Sequence, residues 1–325
     1  MPEGTMALTV EELNAMTLDY VEKRQPTDIY FTSNPLLWKL MKRGDTWDGG
    51  MRLQANLEYA KANTGSYGPK SELPVNKKEI FTAAFFPYAA YYATATIDME
   101  DDILNSGEAQ IVDLVQGKLN NMEKSIRDTL GSEIYAARST GITADPKAKP
   151  FVGLADLFNT TSSTAYGEIK EDDLSLWKAN AITGAKTMSF KFMQELRRTA
   201  SIDTTLEGKP DLYVTTELLQ DAFERTQQVQ VRYSNKELLD AGFDNVLFKG
   251  AAVTADDNQT AGYIDALNLR YLKIKSHSKR NFTKPKWQSP IRQPDTATCN
   301  VRWAGQLLCY HRAAHCRATN VSEPA

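Results

Sequence analysis

The chain has 325 residues, 42% of them hydrophobic and 24% charged, and a formal net charge of −3. That length allows two domains or one large irregular one. The composition excludes a chain disordered throughout, and the net charge is too small to imply a partner by itself. No basic-then-apolar leader opens the chain, so no secretory signal is expected.

The first start signal is Thr9-x-x-Glu12, a capping box that predicts a helix to about Lys23 with Leu13, Met16 and Tyr20 as its apolar stripe. A second helix is predicted over Pro35–Arg43. Leu36, Leu37, Leu40 and Met41 share one side, and Lys42, Arg43 and Gly44 supply stop signals. The Pro/Thr/Asn-rich connection makes this pair an arm on the surface rather than part of a core.

Met51–Ala60 alternates strictly. Met51, Leu53, Ala55, Leu57 and Tyr59 point one way, and Arg52, Gln54, Asn56 and Glu58 the other, which predicts a strand of roughly 33 Å. A Gly/Lys/Pro-rich tip follows, carrying Lys61, Lys70, Lys77 and Lys78. Ile80–Ile97 is then free of charge, but it contains Pro87 and three threonines and falls short of the ~20 strongly apolar residues a membrane span needs. Tyr91, Ala93, Ala95 and Ile97 alternate with Tyr92, Thr94 and Thr96, as in a strand with both faces partly covered. A two-stranded ribbon is marginal in water, so its apolar side requires another surface.

After Ser106-Gly107 a single stripe runs through Ile111, Val115, Leu119, Met122, Ile126, Leu130 and Ile134. A helix over Glu108–Ala137 would be about 45 Å long, with Gly117 and Gly131 as points where it can bend. A ribbon and a helix of this length point to assembly rather than catalysis.

The stretch Arg138–Tyr166 is turn-rich, and a second unit begins near Glu168. Helices are predicted over Asp172–Ala181, Ser189–Ala200 and Thr216–Arg225, and strands over Asp211–Thr215 and Leu247–Thr254, the latter with Gly250 inside it. Further strands follow in Tyr263–Lys275 and as a last pair in Thr298–Val321. Regular βαβ alternation is missing, so the fold class is α+β.

Charge is segregated along the chain. Ala266–Thr319 holds eleven Lys or Arg against Asp295 alone, and Asp98–Asp113 holds six acids and no base. Such segments serve complementary subunit faces, a surface turned to nucleic acid, or mutual neutralisation within one subunit. Cys299, Cys309 and Cys316 form an odd set of the reducing-compartment kind. Cys309, His311, His315 and Cys316 can be drawn as a zinc set, but their spacing matches no strong ligand pattern, and buried small hydrophobes with ordinary histidines are the simpler reading. No dinucleotide fingerprint, phosphate loop, nucleophile elbow or zinc-protease motif is present. Adjacent pairs such as Asp101-Asp102 suit capping and turns rather than acid–base chemistry. No cofactor is expected.

Taken in order, these segments resemble the major capsid proteins of tailed bacteriophages, with the Hong Kong 97-type capsid fold. Leu57–Asn105, Ile111–Tyr135, Phe248–Asn258 with Gly262–Leu272, Arg280–Phe282 and Trp303–Leu307 carry the likeness. The resemblance implies an N-terminal arm over 1–46, an E-loop hairpin over 47–97 and a peripheral domain with a spine helix over 98–168. An axial domain over 169–258 and strands returning to the peripheral domain over 259–325 complete it. It also implies a structural protein that forms pentamers and hexamers and tiles an icosahedral head around double-stranded DNA. The expected subunit contacts are Leu13, Met16, Leu37, Leu40, Met51, Leu53, Leu57, Tyr59, Lys61, Lys70, Lys77, Lys78, Tyr91, Tyr92, Asp101 and Asp102. Some relatives carry a scaffolding segment before the arm. Here the arm begins almost at Met1, so a separate scaffolding protein is expected, with portal and decoration proteins as further partners and no membrane. An encapsulin-like nanocompartment has the same fold, and an enzyme without a recognisable motif is the alternative from another class.

Overall fold

The structure is a computed structural model that describes residues 33–69, 72–73, 75–98, 114–145, 147–227, 236–284, 286–289 and 295–324. The helix expected over Thr9–Lys23 with Leu13 and Met16, Lys70, the pair Asp101-Asp102, and the first turn expected for the long helix lie outside the described residues. The chain divides into two units. The larger comprises 32–91, 128–281 and 304–325, and the smaller 1–31, 92–127 and 282–303.

Helix α1 (Pro35–Lys42) starts on a proline whose missing N–H costs nothing there, and its last turn carries Lys39 and Lys42. Leu36, Leu37 and Leu40 are buried. Trp38 packs edge-on against Phe243, and Lys42 pairs with Glu237 at 2.9 Å. This part of the expected arm is thus covered by its own unit, as an apolar stripe this dense requires. Strand β1 (Asp45–Trp47) follows.

Strands β2 (Leu53–Glu58) and β3 (Phe81–Phe86) form the expected antiparallel ribbon, with Leu53 opposite Phe86 and Glu58 opposite Phe81. Burial alternates along β2 as the sequence requires. The uncharged run does not continue as one strand. Pro87 supplies no N–H to a ladder, and β4 (Ala89–Asp98) leaves the ribbon to join another sheet.

Helix α2 (Leu114–Tyr135) is about 33 Å long and passes both glycines unbroken. Met122, Ile126, Leu130 and Ile134 are all buried. In the larger unit, a Cβ on Gly153 would collide with the carbonyl oxygens of Glu133, Ile134 and Ala136, so only glycine lets this loop pass the helix end.

The larger unit contains a six-stranded mixed sheet in the order β5 (Asn180–Ile182), β13 (Cys316–Ala318), β10 (Ile264–Leu267), β7 (Leu212–Thr215), β9 (Ala251–Ala255), β8 (Asn245–Phe248). Helices α3 (Phe190–Thr199) and α4 (Glu217–Thr226) bury Phe192, Met193, Leu196, Leu219 and Phe223 in one core with alternate residues of these strands. Ser189 caps α3, its Oγ accepting the Phe192 N–H at 3.2 Å. Asp265 and Arg317 are cross-strand partners joined by two hydrogen bonds of 2.6 and 2.7 Å, with Gln259 donating to the same carboxylate.

Two expectations in this unit are corrected. Asp172–Ala181 is not a helix. It contains one short turn, Ser175–Trp177, before Asn180–Ile182 pairs in parallel with Cys316–Ala318, and this pairing overrides local propensity. Leu247–Thr254 is not one strand either. Lys249 and Gly250 both have positive φ, 48° and 86°, and form a two-residue hairpin loop between β8 and β9.

A second sheet runs β1, β11 (Leu272–His277), β12 (Thr296–Cys309), β4, and β6 (Lys186–Thr187) pairs in parallel with β14 (Val321–Ser322). Within the smaller unit, Thr94 donates to Asn300 at 2.6 Å, Lys118 donates to the Thr96 carbonyl, Lys284 pairs with Glu123, and Arg127 lies 4.6 Å over the Phe282 ring.

Candidate subunit interface

The ribbon is anchored at one end and bare at the other. Near its base, Leu53, Ala55, Leu57, Ala84 and Phe86 are buried. Phe86 packs edge-on against Tyr166, the Phe85 N–H donates to the Gly167 carbonyl at 2.9 Å, and Arg52 pairs with Glu168 at 2.5 Å. Part of the surface that the ribbon requires thus comes from its own chain. A cavity of about 410 Å³, lined by Phe85, Phe86, Pro87, Asp156 and Thr164–Glu168 among others, remains beside this anchor.

Towards the tip the pattern inverts. Val75 is 95% exposed, Phe81 75%, and Tyr67 and Leu73 are likewise open to solvent, as is Met51 at the start of the ribbon with 84%. Large apolar side chains held out on an extended ribbon carry the mark of a surface made for contact. Lys61, Lys77 and Lys78 are exposed around them, and Tyr59 is half-buried.

The sixteen expected contact residues therefore sort physically. Leu37, Leu40, Leu53 and Leu57 are covered by their own chain, so any neighbour meets their elements through other atoms. Tyr91 is engaged as well, its hydroxyl accepting the Phe151 N–H at 2.9 Å and donating to Glu133 at 3.3 Å. Burial and then the Glu133 charge raise its pKa well above the ordinary tyrosine range. Met51, Lys61, Lys77, Lys78 and Tyr92 remain available, Tyr92 being 76% exposed. The sequence reading missed Tyr67, Leu73, Val75 and Phe81. Their signal was a scatter of large apolar residues within a Gly/Lys/Pro loop, which no periodicity flags.

Five of the eleven basic residues of Ala266–Thr319 are engaged within the chain. Arg317 holds Asp265, and Arg270, Lys273 and Lys284 pair with Glu207, Asp45 and Glu123. Arg312 is buried against the carbonyls of Asp156, Leu157, Asn159 and Trp177. Arg280, Lys286 and Arg302 are left as exposed charges. The four residues drawn as a zinc set are also placed: Cys309 and Cys316 lie buried in β12 and β13, where burial pushes both thiols up to about 12, His311 packs edge-on against Tyr271, and His315 Nδ1 accepts the Asn268 N–H. No helix among the described residues is long and apolar enough to cross a membrane.

No known family profile and no curated protein matches this chain. Solved structures do. The capsid of cyanophage A-1(L) covers 98% of this chain and 99% of its own at a TM-score of 0.71 and 16% identity. The capsid of the native GTA particle covers 94% and 96% at 0.62 and 8% identity. The SrpI encapsulin of Synechococcus elongatus PCC 7942 covers 96% and 96% at 0.61 and 12% identity. At such identities the likeness is one of fold, and the fold is the Hong Kong 97-type capsid fold.

Proposed function

We propose that this chain is the major capsid subunit of a tailed bacteriophage, a structural protein without catalytic activity that self-assembles as pentamers and hexamers into an icosahedral head around double-stranded DNA. The observation that carries the reading is the end-to-end match to the cyanophage A-1(L) capsid subunit, with nothing large left over on either chain. The bare apolar tip adds independent support, since repeated modest contacts are what closed symmetric shells are built from.

In this reading 1–46 is the N-terminal arm, 47–97 the E-loop and 98–168 the peripheral domain with α2 as its spine. Residues 169–258 form the axial domain and 259–325 the returning strands. The E-loop tip lies on an adjacent subunit through Tyr67, Leu73, Val75 and Phe81, with Lys61, Lys77 and Lys78 at its rim and Met51, at the ribbon's base, and Tyr92 as further contacts. Leu13, Met16, Lys70, Asp101 and Asp102 belong to the same proposed set. Scaffolding, portal and decoration proteins are the separate partners, and DNA is held without sequence preference. The protein resides in the virion after assembly in the host cytoplasm.

Imaging of purified particles by electron microscopy tests the reading. Large DNA-filled heads support it. Small uniform shells loaded with a protein would replace it with the nanocompartment reading, and a stable monomer whose melting responds to a small ligand would point to an enzyme.

A further inference from the structure

The axial part of the chain holds a second feature, unrelated to the ribbon. A cavity of about 460 Å³ opens between the C-terminal turn of α3, the loop that follows it, and the β8–β9 turn. Four cations line it, Arg197, Arg198, Lys209 and Lys249, with Asp203 as the only acid and Ile202 as the only large apolar side chain. Among the described residues none of the four cations forms an ion pair, and the Arg197 Nε is buried with no hydrogen-bond partner. Cations on the last turn of a helix complement its dipole, which accounts for Arg197 and Arg198. It does not account for Lys209 and Lys249, which arrive from two other elements.

Asp203 is occupied by its own loop, its Oδ1 accepting the Thr205 N–H at 2.9 Å and the Thr205 hydroxyl at 2.6 Å. Lys249 is held with its ammonium 5.9 Å from the Phe190 ring and 5.8 Å from the Phe248 ring, and it occupies a left-handed position where Asn or Gly is the usual choice. A volume within the ~300–1,000 Å³ of small-molecule sites, ringed by four cationic side chains, suits a compact anion.

We infer that this cavity binds a polyvalent phosphate, a di- or triphosphate whose closely spaced negative charges meet Arg197, Arg198, Lys209 and Lys249 together. The phosphodiester backbone of a nucleic acid offers the same oxygens at wider spacing and is the competing source.

Isothermal titration of the full chain at low ionic strength with tripolyphosphate, sulfate and a short single-stranded oligonucleotide distinguishes them. Tripolyphosphate is expected to saturate one site per chain and to bind at least about tenfold tighter than sulfate. Lys249→Gly removes a charge while suiting the left-handed turn. It should weaken tripolyphosphate about tenfold and leave the melting temperature equal or higher. Lys209→Gln, at a different element, should weaken it similarly. Absence of saturable binding, or binding indifferent to both substitutions, overturns the inference. An oligonucleotide that binds more tightly than tripolyphosphate and loses affinity in the same two variants overturns it in favour of the nucleic-acid backbone.

Discussion

Arg312 and His315 lie three residues apart and are buried in opposite charge states. Arg312 keeps its charge because backbone carbonyls of Asp156, Leu157, Asn159 and Trp177 receive its N–H groups at 2.6 to 3.4 Å. His315 is held neutral, burial and then the neighbouring His311 lowering its pKa to about 3. Asp256 is the counterpart acid. Burial raises it to about 6, against a 3.0 Å hydrogen bond from the Asn258 N–H that favours the charged form. Neutral His315 contributes stability present above its unfolded pKa of about 6.5 and lost as pH falls from there towards 3. Asp256 contributes stability present below about pH 4 and lost as pH rises through about 6, on the order of 3 kcal/mol. The two effects oppose each other between about pH 4 and 6. Asp256→Asn removes one and leaves the other, so the melting temperature of that variant should fall more steeply from pH 6.5 to pH 4 than that of the parent. Superimposable pH profiles in thermal denaturation would refute the balance. None of this could be seen in the residue types alone, because the spacing of Cys309, His311, His315 and Cys316 matches no strong ligand pattern and does not say which of these side chains is buried neutral.

At the scale of elements, helix α2 and the ribbon were legible because their periodicities are long and unbroken. The stripe Met122, Ile126, Leu130, Ile134 needs no tertiary information to be recognised, and all four are buried. What periodicity missed were ends and breaks. Pro87 and Lys249-Gly250 each divide a run of strand-forming residues, since a missing N–H or a positive φ acts at a single residue within an otherwise uniform pattern. The glycines near α2 separate the same way. A Cβ added at Gly117 would meet nothing within 4 Å, whereas one at Gly153 would abut three carbonyl oxygens. Gly117→Ala should therefore stabilise by about 0.5–1 kcal/mol through helix propensity, and Gly153→Ala should destabilise by about 1–3 kcal/mol. Urea midpoints moving in opposite directions would bear this out, and equal shifts would contradict it.

At the scale of the molecule, the ribbon allows a clean separation of folding from assembly. Its register sets Leu53 opposite Phe86, and the ladder extends to the Tyr59 N–H donating to the Ile80 carbonyl at 3.0 Å. Continuing that register places Ala60 opposite Glu79, so replacing Lys61–Lys78 by Asn-Gly closes the ribbon with a two-residue turn and removes no buried residue among those described. The truncated subunit should melt at the parent temperature yet form no closed particles by size-exclusion chromatography and microscopy. Normal particles from it would remove the tip from the assembly mechanism. The sequence by itself determined the order of the segments, the α+β class, the ribbon's two faces and the helix stripe, because alternation and 3.6-residue periodicity are local consequences of backbone geometry. Only the tertiary structure decided which apolar residues the chain consumes and which it leaves bare. Leu37 and Val75 are equally hydrophobic in sequence, but one is enclosed by its own unit and the other is 95% exposed. That difference arises from which distant segments fold over each residue, a property of the packed chain that no local pattern encodes.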